Sequence, residues 1–382
     1  MGKKITICIV STFVMKILQH LCVLVTLGVA AASPALNESN ALSGCTINSY
    51  NDVNSVVANC KSISVGSFEV PAGVTLKLAL QHGTTLTFNG VINFGYKEWN
   101  GPLMWITGDG VTVQGSGSHL LNGRGELWWD GQGDHSYKQK PQFMLIQATG
   151  NSVFKSIKVK NCPHTCIGIS DSHDLTLQGW TIDSKDGDYK GGANTDGFDI
   201  SKSYKITIKD SSVSNQDDCI CVNQGQQLLF QNLQCSGGHG LSLAAGIYND
   251  YSLNTIHDVT FKDSVVSNSR NGIHIKTIPG NQRGEISSVT YSNIKLSGIS
   301  YYAINVQEDY TNNGPTGNPQ GNIPIKDLKI SNVYGTMTGG NAVKVYILCG
   351  SGGCNNWNWS GINVSGAAKS NSCNFHPNGF SC

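Results

Sequence analysis

The chain has 382 residues, of which only 13% are charged, and a net charge of +1, so nothing draws it as a whole to nucleic acid or an anionic membrane. Its length suits one large domain or two small ones. Forty-five glycines, and many short apolar alternations flanked by Gly, Asn, Ser and Asp, argue against a helical protein and predict an all-β fold of short strands and tight turns.

Met1–Val14 is a short basic start with mixed apolar residues, and "MKILQHLCVLVTLGVAAAS" follows from Met15. A basic start, an apolar core and Ala30-Ala31-Ala32 before Ser33 make residues 1–32 a secretory signal peptide, with Met15 as the alternative start. A membrane anchor fits less well, because the apolar core is short and no second long apolar run follows. Residues 33–44 are then a short N-terminal segment, and 45–382 a single domain.

Cysteine usage agrees with export. Of 13 cysteines, Cys8 and Cys22 fall in the leader and 11 remain. Short-range partners are Cys45 with Cys60, Cys219 with Cys235, Cys349 with Cys354, and Cys373 with Cys382, each closing a small loop in an oxidising compartment. Cys162 and Cys166 are a candidate fifth pair that would leave Cys221 odd; the pairing of these three stays open. The CxxC pairs of a zinc site are absent, which argues against zinc. Asn37, Asn358 and Asn363 head N-x-S sequons.

The middle and end of the chain repeat. "DLTLQG" at 174 recurs as "KITIKD", "QLLFQN", "DVTFKD", "SVTYSN", "DLKISN" and "NWNWSG". Their first apolar residues (Leu175, Ile206, Leu228, Val259, Val289, Leu328, Trp357) are 31, 22, 31, 30, 39 and 29 residues apart. A second series, "GFDI", "CICV", "GLSL", "GIHI" and "AINV", interleaves with the first. Two strands per irregular unit with no helical spacer predict a strand-only solenoid, a right-handed parallel β-helix. The excess in the longer units becomes loops at one corner, which build the walls of a cleft.

Stacking the second series places Phe198, Ile220, Leu241, Ile273 and Ile304 inward. Alternation turns the following residues, Asp199, Cys221, Ser242, His274 and Asn305, to the outer face. Asp196, Asp218, His239, Asn271 and Tyr302 fall two residues before each inward position, in the turn or bulge entering the strand. Asp196 to Asp217 and Asp218 to His239 are each 21 residues, one short coil. Adjacent coils lie roughly 4.8 Å apart, so these four residues should form one surface cluster. A lone exposed Asp in a solenoid turn usually belongs to a structural Asn/Asp ladder. Three carboxylates and a histidine together raise at least one carboxyl pKa and set a protonated acid beside ionised bases, the requirement for glycosidic cleavage.

"NTDGFDI" (194–200), "QDDC" (216–219), "GGHG" (237–240) and "IKT" (275–277), in this order and spacing, resemble the polygalacturonases, pectin-cleaving glycoside hydrolases with a right-handed β-helix. The tail from "CGSGGCNNWNWSGINVSG" fits their fungal and insect type. The resemblance implies a secreted, monomeric, inverting endo-enzyme acting on pectin, with plant inhibitor proteins as a second class of partner. It makes Asp217 the general acid, and gives Asp196 and Asp218 the attacking water. His239 would tune the acid, Lys276 would contact a galacturonate carboxylate, Tyr302 would pack on the sugar, and Asn194 and Asp199 would shape the site. The chemistry implied by the resemblance needs no metal or other cofactor. Two departures stand out: His274 occupies the place of an arginine, and Ala244-Ala245 replaces a Gly-Ser pair. A histidine carries charge only once protonated, so a carboxylate contact through His274 would strengthen as pH falls. The alternatives are a hydrolase of modified pectin, or a catalytically impaired homologue that binds pectin fragments or inhibitors.

Overall fold

The computed structural model describes residues 44–382; the leader, Cys8, Cys22 and the Asn37 sequon lie outside the described residues. From Thr46 onward the chain winds as a right-handed parallel β-helix, and neighbouring coils pair in parallel throughout. One face is an eleven-stranded sheet running without crossover from Leu76–Ala79 to Ser372–Cys373. Its central strands are Phe198–Ser201, Asp218–Val222, Gly240–Ala245, Asn271–Thr277 and Tyr302–Gln307.

The inward stack has the predicted register: Phe198, Ile220, Leu241, Ile273 and Ile304 are directly paired in sequence and fully buried. The first series aligns Leu175, Ile206, Leu228, Val259, Val289 and Leu328 in the same way. Large side chains fill the interior by stacking coil on coil, as in Phe230, Phe261 and Tyr291, whose ring centroids are 4.5 and 4.6 Å apart.

Long strands such as Ser203–Ser214 and Gly225–Ser236 bend where single residues enter the left-handed region. One such column holds Asp210, Asn232, Asp263, Asn293 and Asn332, all with φ of 52–55°. Asn and Asp tolerate this conformation better than other side chains. Their amides also bond from coil to coil: Asn232 to Asp210 and Asn293 to Asp263 at 2.8 Å, Asn332 to Asn293 at 3.0 Å. These acids belong to the scaffold.

Both ends of the solenoid are covered. Val53–Asn59 is a short helix, unforeseen in the sequence, that buries Val53, Val56 and Val57 and is tied down by Cys45–Cys60. At the other end Trp357 and Trp359 stack in parallel, with Phe375 and Phe380 against them. The four expected disulfides form; Cys162–Cys166 is a fifth, and Cys221 is a buried free thiol.

Candidate active site

The outer face of the eleven-stranded sheet carries Asp199, Cys221, Ser242, His274 and Asn305 in one paired column, as alternation requires. They are not open to solvent: Ser242, His274 and Asn305 are buried beneath the cleft walls. The loop containing Tyr310, Thr311 and Asn312 forms part of those walls. The cleft, about 350 Å³, is lined by Asn194, Asp217, His239, Lys276, Tyr302 and Asn305 among others. A groove of about 400 Å³ beside Tyr204 and Tyr251 is lined by no carboxylate and is set aside.

A bulge positions the aspartate pair. Asp218 pairs with Gly240 and Ile220 with Leu241, so one extra residue, Cys219, is accommodated between them. His239 is therefore level with Asp217 rather than with Asp218, a correction to the equivalence expected from residue counting. Its backbone N–H donates to the Asp217 carbonyl at 2.8 Å. Three devices hold this irregular backbone. Asn215, buried, donates its side-chain amide to the carbonyls of Thr195, Asp217 and Asp218 at 2.9, 3.0 and 3.0 Å. Cys219–Cys235 fixes the bulge residue. Gly238 lets the next coil approach so closely that a Cβ there would collide with the Asp217 carbonyl.

Asp217, Asp218 and His239 come together at this corner. Asp217 Oδ1 accepts from His239 Nδ1 at 2.9 Å and from the Asp218 N–H at 2.8 Å, and Asp217 Oδ2 accepts from Asn194 Nδ2 at 2.9 Å. Asp218, expected to reach solvent, is buried instead: Ser242 Oγ donates to its Oδ1 at 2.5 Å and Lys276 Nζ to its Oδ2 at 2.8 Å. The Lys276 ammonium is thus committed to Asp218, and it also lies 4.8 Å over the Tyr310 ring. Asp199 Oδ2 accepts a long bond from Thr165 Oγ1, and its Oδ1 is buried without a partner among the described residues. Asp196 is half-buried, and its carboxyl makes no hydrogen bond among the described residues. Tyr302 stands between Tyr301 and Tyr346, ring centroids 4.4 and 5.0 Å away.

Burial and mutual repulsion set the charges. Burial, then the charges of Asp217, Asp199 and Asp218, push the Asp196 carboxyl well above its usual range. Burial, then Asp218 and Asp217, push Asp199 up to about 8. Burial also acts to raise Asp217, but the His239 charge and hydrogen bond, with Lys276, outweigh it and leave that carboxyl below its usual value. His239 is the mirror image: burial opposes its charge, and Asp217 more than restores it. In Lys276 the Asp218 charge likewise overcomes burial and holds the ammonium protonated.

His274 behaves differently from expectation. Burial, followed by repulsion from Lys276, brings its imidazole down to about 3, so it stays neutral on mild acidification. It cannot act as a pH-gated substitute for an arginine. Ala244 and Ala245 pair with Lys276 and Thr277 and are buried; alternation turns Ala244 to the outer face and Ala245 into the core.

Side-chain atoms of Asp217, Asp218 and His239 lie within 4.8 Å of one another, a spacing that a divalent ion tolerates. Their oxygens are already bonded to Asn194, His239, Ser242 and Lys276, and the ammonium fills the cationic role. Glu308, Cys349 and Cys354 also cluster, but both sulfurs are in a disulfide.

Asn215, Arg270, Gln307 and Tyr310 were not singled out from the sequence, although they hold the bulge or line the cleft. Only Gln307, two residues beyond Asn305 on the outer face, had a positional signal.

The fold agrees with comparisons to known proteins. Residues 60–382 match the family described as Glycosyl hydrolases family 28. A polygalacturonase of Phaedon cochleariae is 48% identical over 360 residues, spanning 94% of this chain and 97% of its own. Endopolygalacturonase I of Aspergillus niger is 45% identical over 341 residues, 89% and 91% of the two chains. Among solved structures, endopolygalacturonase I of Stereum purpureum, complexed with two galacturonates, superposes with a TM-score of 0.75 at 33% identity, covering 86% of this chain and 96% of its own. With the family matching residues 60–382 and a relative 48% identical over 94% of this chain, the chain belongs to the glycoside hydrolases of family 28.

Proposed function

We propose that the protein is a secreted, monomeric endo-polygalacturonase that hydrolyses the galacturonosyl bonds of pectin by single displacement with inversion. The observation that carries this reading is the bonded cluster at one cleft, where Asp217 accepts from His239 at 2.9 Å and Asp218 from Lys276 at 2.8 Å. His239 holds the Asp217 carboxyl below its usual value, and burial among carboxylates pushes Asp196 above its own. Relatives named polygalacturonase and endopolygalacturonase, at 48% and 45% identity, support the substrate class and the endo mode. The leader over residues 1–32 and the five disulfides support export.

In this mechanism Asp217 protonates the leaving glycosidic oxygen, and the imidazolium of His239 stabilises the carboxylate left behind. Asp196, whose oxygens have no hydrogen-bond partner among the described residues, holds and deprotonates the attacking water. Asp218, fixed by Ser242 and Lys276, orients that water and keeps negative charge beside the developing oxocarbenium ion. At rest a proton is held on Asp196, and Asp217 is ionised against His239. The reactive form has the same number of protons, with one moved from Asp196 to Asp217. Protons in so strongly interacting a cluster belong to the set, which permits the exchange. Once protonated, Asp217 gives its proton up readily; once bare, Asp196 takes one readily. Both properties serve catalysis.

The test is release of reducing ends from demethylated polygalacturonate between about pH 4 and 8, with Asp217→Asn as control. Activity that the control lowers by at least about a hundredfold is expected. Absence of activity at every pH, with intact folding, would favour a catalytically impaired pectin-binding homologue.

A further inference from the structure

A cleft that takes a chain of uronates must meet negative charge with positive charge, and its cations are nearly all engaged. Lys276 is held by Asp218 and His239 by Asp217, while His274 is neutral. The remaining cation in the lining is Arg270, which is exposed and has no acidic partner among the described residues. Its backbone is fixed at the corner one coil beyond His239. The Arg270 N–H donates to the Gly238 carbonyl at 2.8 Å, and its own carbonyl accepts from the Tyr301 N–H at 2.9 Å. The guanidinium centre lies 5.1 Å over the Tyr301 ring, which limits its swing while leaving its N–H edge uncommitted.

Beside it the cleft floor carries buried acceptors with nothing to accept from. Asn271 and Asn305 are 3% and 2% exposed, both line the cleft, and the Oδ1 of each lacks a hydrogen-bond donor among the described residues. Their amide groups are already used: Asn305 Nδ2 donates to Gln307 Oε1 at 2.8 Å, and Asn271 Nδ2 lies 3.5 Å from His274 Nδ1. Buried acceptors left open are costly unless a ligand supplies the donors, and sugar hydroxyls are such donors.

We propose that Arg270, with Asn271 and Asn305, forms a uronate subsite in which the guanidinium binds a galacturonate carboxylate and the two amide oxygens accept from the hydroxyls of the same or the next sugar. The assignment rests on the polygalacturonase reading and gives the cation contact to Arg270 instead of His274. A guanidinium matches a carboxylate with two parallel N–H groups and stays charged at every working pH.

The experiment measures binding in the Asp217→Asn background, where turnover does not interfere. Affinities for a demethylated oligogalacturonate and for its methyl ester are compared with and without Arg270→Met. The expected result is that Arg270→Met weakens binding of the acid form about tenfold, changes the ester less than about twofold, and lowers the salt dependence. Arg270→Lys should recover part of the loss. In the otherwise native enzyme the same change should raise KM on demethylated substrate more than it lowers kcat. Equal loss for acid and ester, or no loss for either, would overturn the subsite. If the parent binds neither oligomer, the substrate reading itself fails and the subsite with it. Arg270 is exposed, so melting curves of the variants should match their parents.

Discussion

Individual side chains in this cleft are defined by who shares their proton. His239 is held protonated by Asp217, and its charge helps keep Asp217 a strong acid. Activity should therefore fall as pH rises through the raised His239 value. His239→Gln is expected to lower kcat by ~10- to 100-fold and to move or erase that alkaline limb in a pH–rate profile. His274→Asn should leave the position of both limbs unchanged, because its imidazole does not titrate above about 3. A shift of the acid limb in His274→Asn would contradict the neutral assignment. Asp199 gives a stability prediction. Its folded-state value, raised to about 8 from 3.8, means the native state holds a proton that the unfolded chain has released at neutral pH. This group therefore costs stability progressively as pH rises from about 4 to about 8. Asp199→Asn should relieve the penalty, on the order of 1–3 kcal/mol at pH about 7.5 and close to none at pH about 3.5. Thermal melts at the two pH values check it; equal effects at both would mean Asp199 is ionised in the native state.

At the scale of elements, a repetitive strand becomes a site through one interruption. The bulge around Cys219 brings Asp217 level with His239 and leaves Asp218 facing Ser242 and Lys276. Asn215 braces it, its buried amide group bridging the carbonyls of Thr195, Asp217 and Asp218 alongside the backbone N–H groups of His239 and Gly197. Asn215→Ala is expected to destabilise the fold by roughly 2–4 kcal/mol and to lower kcat more than it changes KM, as the acid loses its position. Unchanged kcat in a folded Asn215→Ala variant would show that the disulfide and Gly238 suffice. The aspartates and His239 were legible in the sequence because 21-residue coils stack residues of known chemistry at neighbouring corners. The bulge blurred their relative level by one residue, because counting cannot show which coil carries the extra position. Arg270 and Tyr310 were not legible: one sits at a corner and the other opens a wall loop, where no period operates. The charge states depended on burial under those walls, so the sequence could indicate that a carboxyl would be raised but not that Asp196 and Asp199 would be the ones.

Across the whole molecule, stability is carried from coil to coil, and the sheet ends only where something covers it. The second half of the solenoid was readable because its apolar pairs recur, whereas the first half was hidden by unequal intervals. Leu76 pairs with Met104 and Met104 with Met144, with loops of very different length between them. The caps escaped notice for a related reason: each occurs once, so no repetition marks it. The C-terminal cap gives the strongest whole-molecule prediction. Ser372–Cys373 is the last strand of the cleft-bearing sheet and pairs with Tyr346 and Ile347, while Phe375 and Phe380 shield Trp357 and Trp359. Cys373–Cys382, separated by nine residues, locks this tail in place. Ending the chain after residue 369 would leave strand Val343–Leu348 with unpaired backbone and expose two tryptophans. Such an edge is a template for pairing with another chain. The truncated protein should lose several °C in Tm and self-associate in light scattering, while the paired change of Cys373 and Cys382 to Ser should cost only about 2–3 kcal/mol and leave it monomeric. Association in the truncation but not in the double Ser variant would assign solubility to the covering strand and aromatic residues. Association in both would assign it to the disulfide, since the tail would then open on its own once the lock is removed.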